Sequence, residues 1–131
     1  DPLIKQRQRE AQRQMAQGRQ MGQVPDADVV VTNPIHIAIA ITYQTNKMKA
    51  PLILAKGKRL VAAEIKRIAQ AHQIPIIENP PLARQLYKDV NVNQEVPMEY
   101  YKIVAEILAF VYNLKKKGRQ KKEDKNNESN Q

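Results

Sequence analysis

Val29-Val30-Val31-Thr32-Asn33-Pro34-Ile35-His36-Ile37-Ala38-Ile39-Ala40-Ile41-Thr42-Tyr43 is the stretch on which the fold turns. The three valines are a β-branched strand signal. After Asn33-Pro34 the chain alternates: Ile35, Ile37, Ile39, Ile41 and Tyr43 share one face, and small or polar residues take the other. Two strands joined by a tight turn run antiparallel. Asn at the first and Pro at the second position suit a type I turn. Ile35 at the third tolerates type I and disfavours type II, which favours Gly there.

Working outward, Pro51–Ala55 reads as a third strand, ended by Lys56-Gly57. Val61, Ile65, Ile68 and His72 recur at helical spacing and predict an amphipathic helix over 58–73. Pro75–Glu78 is a fourth short strand. Asn79-Pro80 has the form of an N-cap followed by proline in the first turn, opening a helix through Leu82, Leu86 and Tyr87. A last helix starts near Pro97, with Tyr100, Val104, Ile107, Leu108, Val111 and Leu114 as its buried stripe. The expected fold is α/β: a small mixed four-stranded sheet flanked by helices, with an N-terminal connector helix. Residues 1–22 form that connector helix or linker, 23–114 the folded domain, and 115–131 a polar, disordered basic tail.

The chain has 131 residues and 42% apolar content, enough for one modest core. It lacks cysteine, which excludes disulfides, thiolate metal sites and cysteine nucleophiles. Two histidines, His36 and His72, are too few for a His-rich metal site, so neither a metal nor a cofactor is expected. No apolar run reaches the roughly 20 residues of a membrane span. The net charge is +9, of which residues 1–22 hold +3 (five basic, two acidic) and residues 115–131 hold +4 (seven basic, three acidic). A nucleic-acid-binding face would place that charge on the folded surface, whereas 23–114 carries only +2 and has one Phe and no Trp for stacking.

Asn33-Pro34 carries chemistry. An asparagine followed by an ordinary residue deamidates when the next backbone nitrogen attacks its side-chain carbonyl. Proline has no N–H, so that route is closed. The remaining cyclisation is attack of the Asn33 side-chain nitrogen on its own main-chain carbonyl, which expels Pro34 as a new amino terminus. An amide nitrogen is a poor nucleophile, so the reaction needs near-attack geometry and gains from strain at the scissile bond. His36 could take a proton from the amide or orient the turn; equally it could be a structural strand-end histidine. Asn79-Pro80 is an internal control, because its side chain would be occupied as a helix cap.

The run Val29–His36, followed by Ala38, Ala40 and Tyr43, resembles the cleavage-site region of the FlhB/YscU family of secretion-apparatus switch proteins. Lys47-Met48-Lys49-Ala50-Pro51, Ala55-Lys56-Gly57, Pro81–Tyr87 and Glu106 are similar to the family in order and spacing. The flagellar branch is the nearer in pattern. The resemblance implies a cytoplasmic domain on the inner-membrane face, anchored through an upstream membrane region. It implies autocleavage at Asn33-Pro34, fragments that stay together, and a switch from rod and hook to filament export substrates. Implied partners are other export-apparatus proteins, exported flagellar substrates and the chain's own cleaved fragment, with no nucleic acid. Such cleavage happens once per molecule and is not turnover catalysis. The family motif is Asn-Pro-Thr-His, from which Ile35 departs. Cleavage is expected to persist, since it uses only Asn33 atoms and the Pro34 leaving group.

Lys47, Lys49, Lys56, Lys58 and Arg59 form a basic cluster within thirteen residues. It reads either as a solvated loop and helix start or as a docking surface for acidic partners. The rival to an export switch is a basic nucleic-acid-binding domain with an uncut chain, whose binding would weaken steeply with salt.

Overall fold

The structure, a computed structural model, describes residues 1–129. Helix α1 (Pro2–Gln23) leads through a 3-10 turn at Val24–Asp26 into strands β1 (Val29–Asn33), β2 (Ile37–Thr42) and β3 (Leu52–Lys58). Helix α2 (Arg59–Ala71), strand β4 (Ile76–Glu78) and helix α3 (Pro80–Asp89) follow. A 3-10 turn at Met98–Tyr100 then opens α4 (Tyr101–Ser129). The sheet order is β3-β2-β1-β4. β1 and β2 pair antiparallel, as do β2 and β3, while β1 and β4 are parallel. The expected mixed four-stranded sheet is present.

Both faces of that sheet are covered. Ile37, Ile39 and Ile41 pack with Ile53, Leu82, Leu86, Val104 and Val111 under α3 and α4. Ala38 and Ala40 point to the other face, where Ala62, Ile65 and Ala69 of α2 meet them. The small side of the alternation therefore receives a helix rather than solvent. Alanines on both partners let α2 approach the sheet closely, and its buried stripe is Ala62–Ile65–Ala69. His72, expected on the apolar side, is exposed at the helix end.

β3 runs on through Lys56-Gly57 to Lys58, past the expected end. A bulge makes this possible without losing the core. Ala40 pairs with Ala55 and Ile41 with Ile53, so Leu54 is the extra residue. The slip returns Lys56 and Lys58 to the face of Ile53, toward α3. Next to it, a Cβ on Gly57 would lie 2.2 Å from Val61 Cγ1 and 2.6 Å from Val61 Cβ. Gly57→Ala is expected to destabilise the fold by about 1–3 kcal/mol through overpacking. Urea unfolding checks this, and adding Val61→Ala should recover only part of the loss, because it removes the Cγ1 contact and leaves the Val61 Cβ at 2.6 Å.

At the other end, Asn79 caps α3 as expected: its side chain accepts from the Leu82 N–H at 3.2 Å, with Pro80 in the first turn. The Tyr100 hydroxyl donates to the Asp89 carboxylate, fixing the start of α4 to the end of α3. That bond, then desolvation and the charges of Asp89 and Glu99, push the phenol up to about 12. The folded value exceeds the unfolded one of roughly 10. The associated stability is therefore complete below about pH 10 and lost as pH rises through about 12. Tyr100→Phe should remove this component, so wild-type and variant melting temperatures converge over that window.

Two expectations about the termini are corrected. Residues 115–129 are not irregular but continue α4 as an exposed helix. Lys, Arg, Gln and Glu are good helix formers, proline is absent there, and Gln120 bonds Asp124 one turn on. Residues 130–131 of the expected tail lie outside the described residues. Leu114, expected in the buried stripe, is 45% exposed, because the sheet ends beneath Val111. α1 buries no residue, consistent with its polar composition.

Candidate functional site

The site is the hairpin turn between β1 and β2. Asn33 pairs with Ile37 across the hairpin, and the His36 N–H donates to the Asn33 carbonyl at 3.0 Å, closing a four-residue turn. Pro34 sits second, with φ held near −65° by its ring. Ile35 sits third with φ of 72°. A positive φ at that position defines type II, not the type I expected from sequence. The reason is tertiary. The His36 carbonyl accepts from the Arg59 N–H at 3.1 Å, and the Thr32 carbonyl accepts from the Asn79 N–H at 2.9 Å. With β3 and β4 holding both arms, the turn closes in the left-handed region despite the β-branched residue.

A left-handed β-branched residue is strained by about 1–3 kcal/mol. Ile35 is also 76% exposed, so its side chain gains little in return. In an Asn33→Ala background, which removes the nucleophile, Ile35→Gly is expected to raise stability by about 1 kcal/mol net of glycine's entropic cost. The denaturant midpoint measures this.

The geometry at the peptide bond has three parts. Asn33 and Pro34 are half-buried. The Asn33 carbonyl already accepts a backbone N–H, that of His36, the kind of donor that can stabilise charge developing on a carbonyl oxygen. His36 lies at the exposed surface, three residues from Asn33. Asn79-Pro80 contrasts with this: its Asn side chain is engaged as the α3 cap, whereas Asn33 forms no side-chain cap. The two dipeptides are neighbours, since β1 and β4 run parallel and pair at Thr32 and Glu78.

The five basic residues do not form one patch. Lys47 and Lys49 lie in the loop before β3, while Lys58 and Arg59 lie at its far end, roughly 20 Å away along the strand. Lys56 is engaged within the fold. Its ammonium donates to the Tyr87 carbonyl at 2.8 Å and the Val90 carbonyl at 2.9 Å, satisfying the C-terminal end of α3. Burial lowers its pKa below the usual lysine range, and the two carbonyls hold the charged form against that. Tyr87 contacts both Lys56 and Lys58, whose ammoniums stand 4.8 and 4.6 Å from its ring centre. Lys49 lines an apolar groove of about 240 Å³ with Tyr43, Pro51, Tyr101, Ala105 and Leu108.

The role of Tyr87, the Arg59 N–H clamp and the nearness of the two Asn-Pro pairs were not anticipated. Each depends on which strands become neighbours. Among the described residues, no group of three or more His, Asp or Glu is placed to hold a metal ion. No helix among them is long and apolar enough to cross a membrane.

Residues 1–111 match the profile described as the FlhB HrpN YscU SpaS Family. The flagellar biosynthetic protein FlhB of Bacillus subtilis (strain 168) is 50% identical over 117 residues, covering 89% of this chain and 32% of that protein. Its counterpart in Salmonella typhimurium is 47% identical over 116 residues, covering 88% and 30%. The chain thus spans about a third of the length of these relatives. The crystal structure of the cytoplasmic domain of FlhB from Shewanella putrefaciens is similar, with a TM-score of 0.76 and 38% identity. It covers 79% of this chain and 80% of that one. A mutated EscU C-terminal domain is similar with a TM-score of 0.69 and 32% identity, covering 72% and 94%. Substituted forms of that EscU domain change an asparagine, the proline after it and a histidine three residues beyond the asparagine. Asn33, Pro34 and His36 have the same spacing.

Proposed function

The chain belongs to the FlhB HrpN YscU SpaS family, and from that premise we propose that it is a self-cleaving switch domain of a flagellar protein-export apparatus. In this reading the domain lies on the cytoplasmic face of the inner membrane. Residues 1–22 connect it to a membrane-embedded region, 23–114 form the switch, and the basic segment from 115 onward is an appendage. Cleavage at Asn33-Pro34 changes export from rod and hook to filament substrates.

The observation that carries the reading is an Asn-Pro bond in a strained turn whose scissile carbonyl faces the His36 N–H at 3.0 Å. The Asn33 side-chain nitrogen attacks the Asn33 main-chain carbon, and negative charge develops on the oxygen that this N–H already contacts. Collapse breaks the bond to Pro34. The proton lost by the side-chain nitrogen ends on the proline nitrogen, leaving a succinimide at the end of residues 1–33. Atoms balance without a water or cofactor. The His36 ring, at the surface beside the turn, serves as the assisting base or orienter of that transfer. Relief of the Ile35 strain favours the forward step.

Partner binding is the mature role. The cleaved fragment stays as one partner, because β1 remains paired with β2 and β4. Export-apparatus proteins and exported chains have the Tyr43–Pro51–Leu108 groove as an apolar dock, with Lys47 and Lys49 beside it. Lys58 and Arg59 flank the cut turn, so a partner touching both would sense cleavage. Lys56 acts indirectly, by holding α3.

The test is made in flagellated cells whose only copy of the full-length protein carries Asn33→Ala. Rod and hook proteins should continue to be exported, and filament protein should not. Filament export at the wild-type level would refute the switch assignment.

A further inference from the structure

Helix α4 carries a second apolar line, away from its contacts with the sheet. At about 100° per residue, Ile103, Ile107, Phe110 and Leu114 fall within about 40° of one line along the helix. Ile103, Phe110 and Leu114 are 36%, 54% and 45% exposed, and Ile107 is partly buried against the core. Their spacing of four, three and four residues is that of a coiled-coil seam. Lys117, Lys121 and Lys125 continue the same line on the exposed end of α4. The groove of Tyr43 and Leu108 lies on the other flank of the helix. One edge of α4 is thus apolar for roughly 16 Å and then basic for roughly 12 Å.

We propose that this edge docks a helix of a partner protein that is apolar along one half of its seam and acidic along the other. Charge decides the occupant. A second copy of the chain is unsuitable: the net charge is +9, α1 is itself basic, and parallel α4 helices would set lysine against lysine. Antiparallel copies would bury lysines against Phe110 and Ile107. An anionic membrane would favour basic residues flanking an apolar face along its whole length. Here the two characters follow one another along the axis, and the adjoining flank is already packed on the sheet. A narrow seam suits one helix. An acidic half would gain ion pairs with Lys117 and Lys121 and a faster encounter with this basic helix.

The probe is a labelled synthetic helical peptide with Leu at the seam positions of one half and Glu at those of the other. Fluorescence anisotropy should show saturable binding that weakens with salt. The pairs Phe110→Ser with Leu114→Ser, and Lys117→Glu with Lys121→Glu, should each weaken it about tenfold or more. All four sites are exposed, and circular dichroism checks that the variants remain folded. A peptide with Lys in place of Glu should bind the lysine-to-glutamate variant and not the wild type. Absence of saturable binding, or equal binding by both variants, would overturn the proposal. Sedimentation showing a dimer lost with Phe110→Ser and Leu114→Ser would assign the edge to a second copy instead. Binding to phosphatidylserine vesicles without peptide binding would assign it to a membrane surface.

Discussion

Asn33→Ala should yield a single uncut chain on a denaturing gel, where the wild type should yield two pieces, residues 1–33 and 34–131. The expected effect is close to all or none. Alanine has no side-chain nitrogen to attack the carbonyl, and simple hydrolysis of an amide at neutral pH is slower by many orders of magnitude. The substitution leaves the fold intact, because Asn33 is only half-buried and its backbone pairing with Ile37 does not need the side chain. Asn79→Ala gives the matching control. Cutting at Asn33 should continue, with the fold weakened by about 1 kcal/mol for the lost cap of α3. Fragments meeting at Asn79-Pro80 in the wild type would show that an engaged cap does not protect the bond.

The second large effect concerns what holds the pieces together. Leu86 is fully buried where α3 meets Ile39 and Ile41 of the sheet. Leu86→Ala should cost about 2–5 kcal/mol, a substantial share of the 5–15 kcal/mol typical of a domain. In the uncut Asn33→Ala background this lowers the denaturant midpoint while the chain remains monomeric and folded. After cleavage the consequence is larger, because the first 33 residues are then a separate chain and their retention depends on concentration. Val29, Val30 and Val31 of that fragment are each 0% exposed and lie between β2 and β4. The wild-type pieces should therefore co-elute on size exclusion, and the Leu86→Ala pieces should separate on dilution. Co-elution of the variant pieces at nanomolar concentration would mean that β1 pairing alone holds them.

Much of the fold was legible where local rules and tertiary packing agree. The alternation of Ile37–Ile41, the β-branched run at Val29 and the Asn79-Pro80 cap all follow from period or capping chemistry that acts within a few residues. The turn type was not legible. Type I was the better local choice for Ile35, but Arg59 at the start of α2 and Asn79 at the cap of α3, both distant in sequence, hold the two arms and override the propensity. The spread of the basic residues was not legible for a similar reason. Thirteen residues look dense on paper, yet a strand spreads them, and the bulge at Leu54 directs Lys56 to the carbonyls of α3. The segment after Leu114 was read as irregular because it cannot bury a face, although the same lysines and glutamines propagate a helix already started by Tyr101–Val111. As for the site, Asn33, Pro34 and His36 do meet in one turn. The bond from the His36 backbone N–H to the Asn33 carbonyl follows from any closed turn over these four residues, whereas the left-handed Ile35 does not.

In the proposed reaction Asn33 itself cuts the chain by cyclising. Mass spectrometry of freshly purified wild-type protein, with amino-terminal sequencing, tests it most directly. One fragment should begin at Pro34 and the other should end at Asn33. The second should first appear one water lighter than the hydrolysed peptide, as a succinimide requires. A chain that stays whole through prolonged incubation at mildly alkaline pH, or a break whose new end never passes through the dehydrated form, would contradict it.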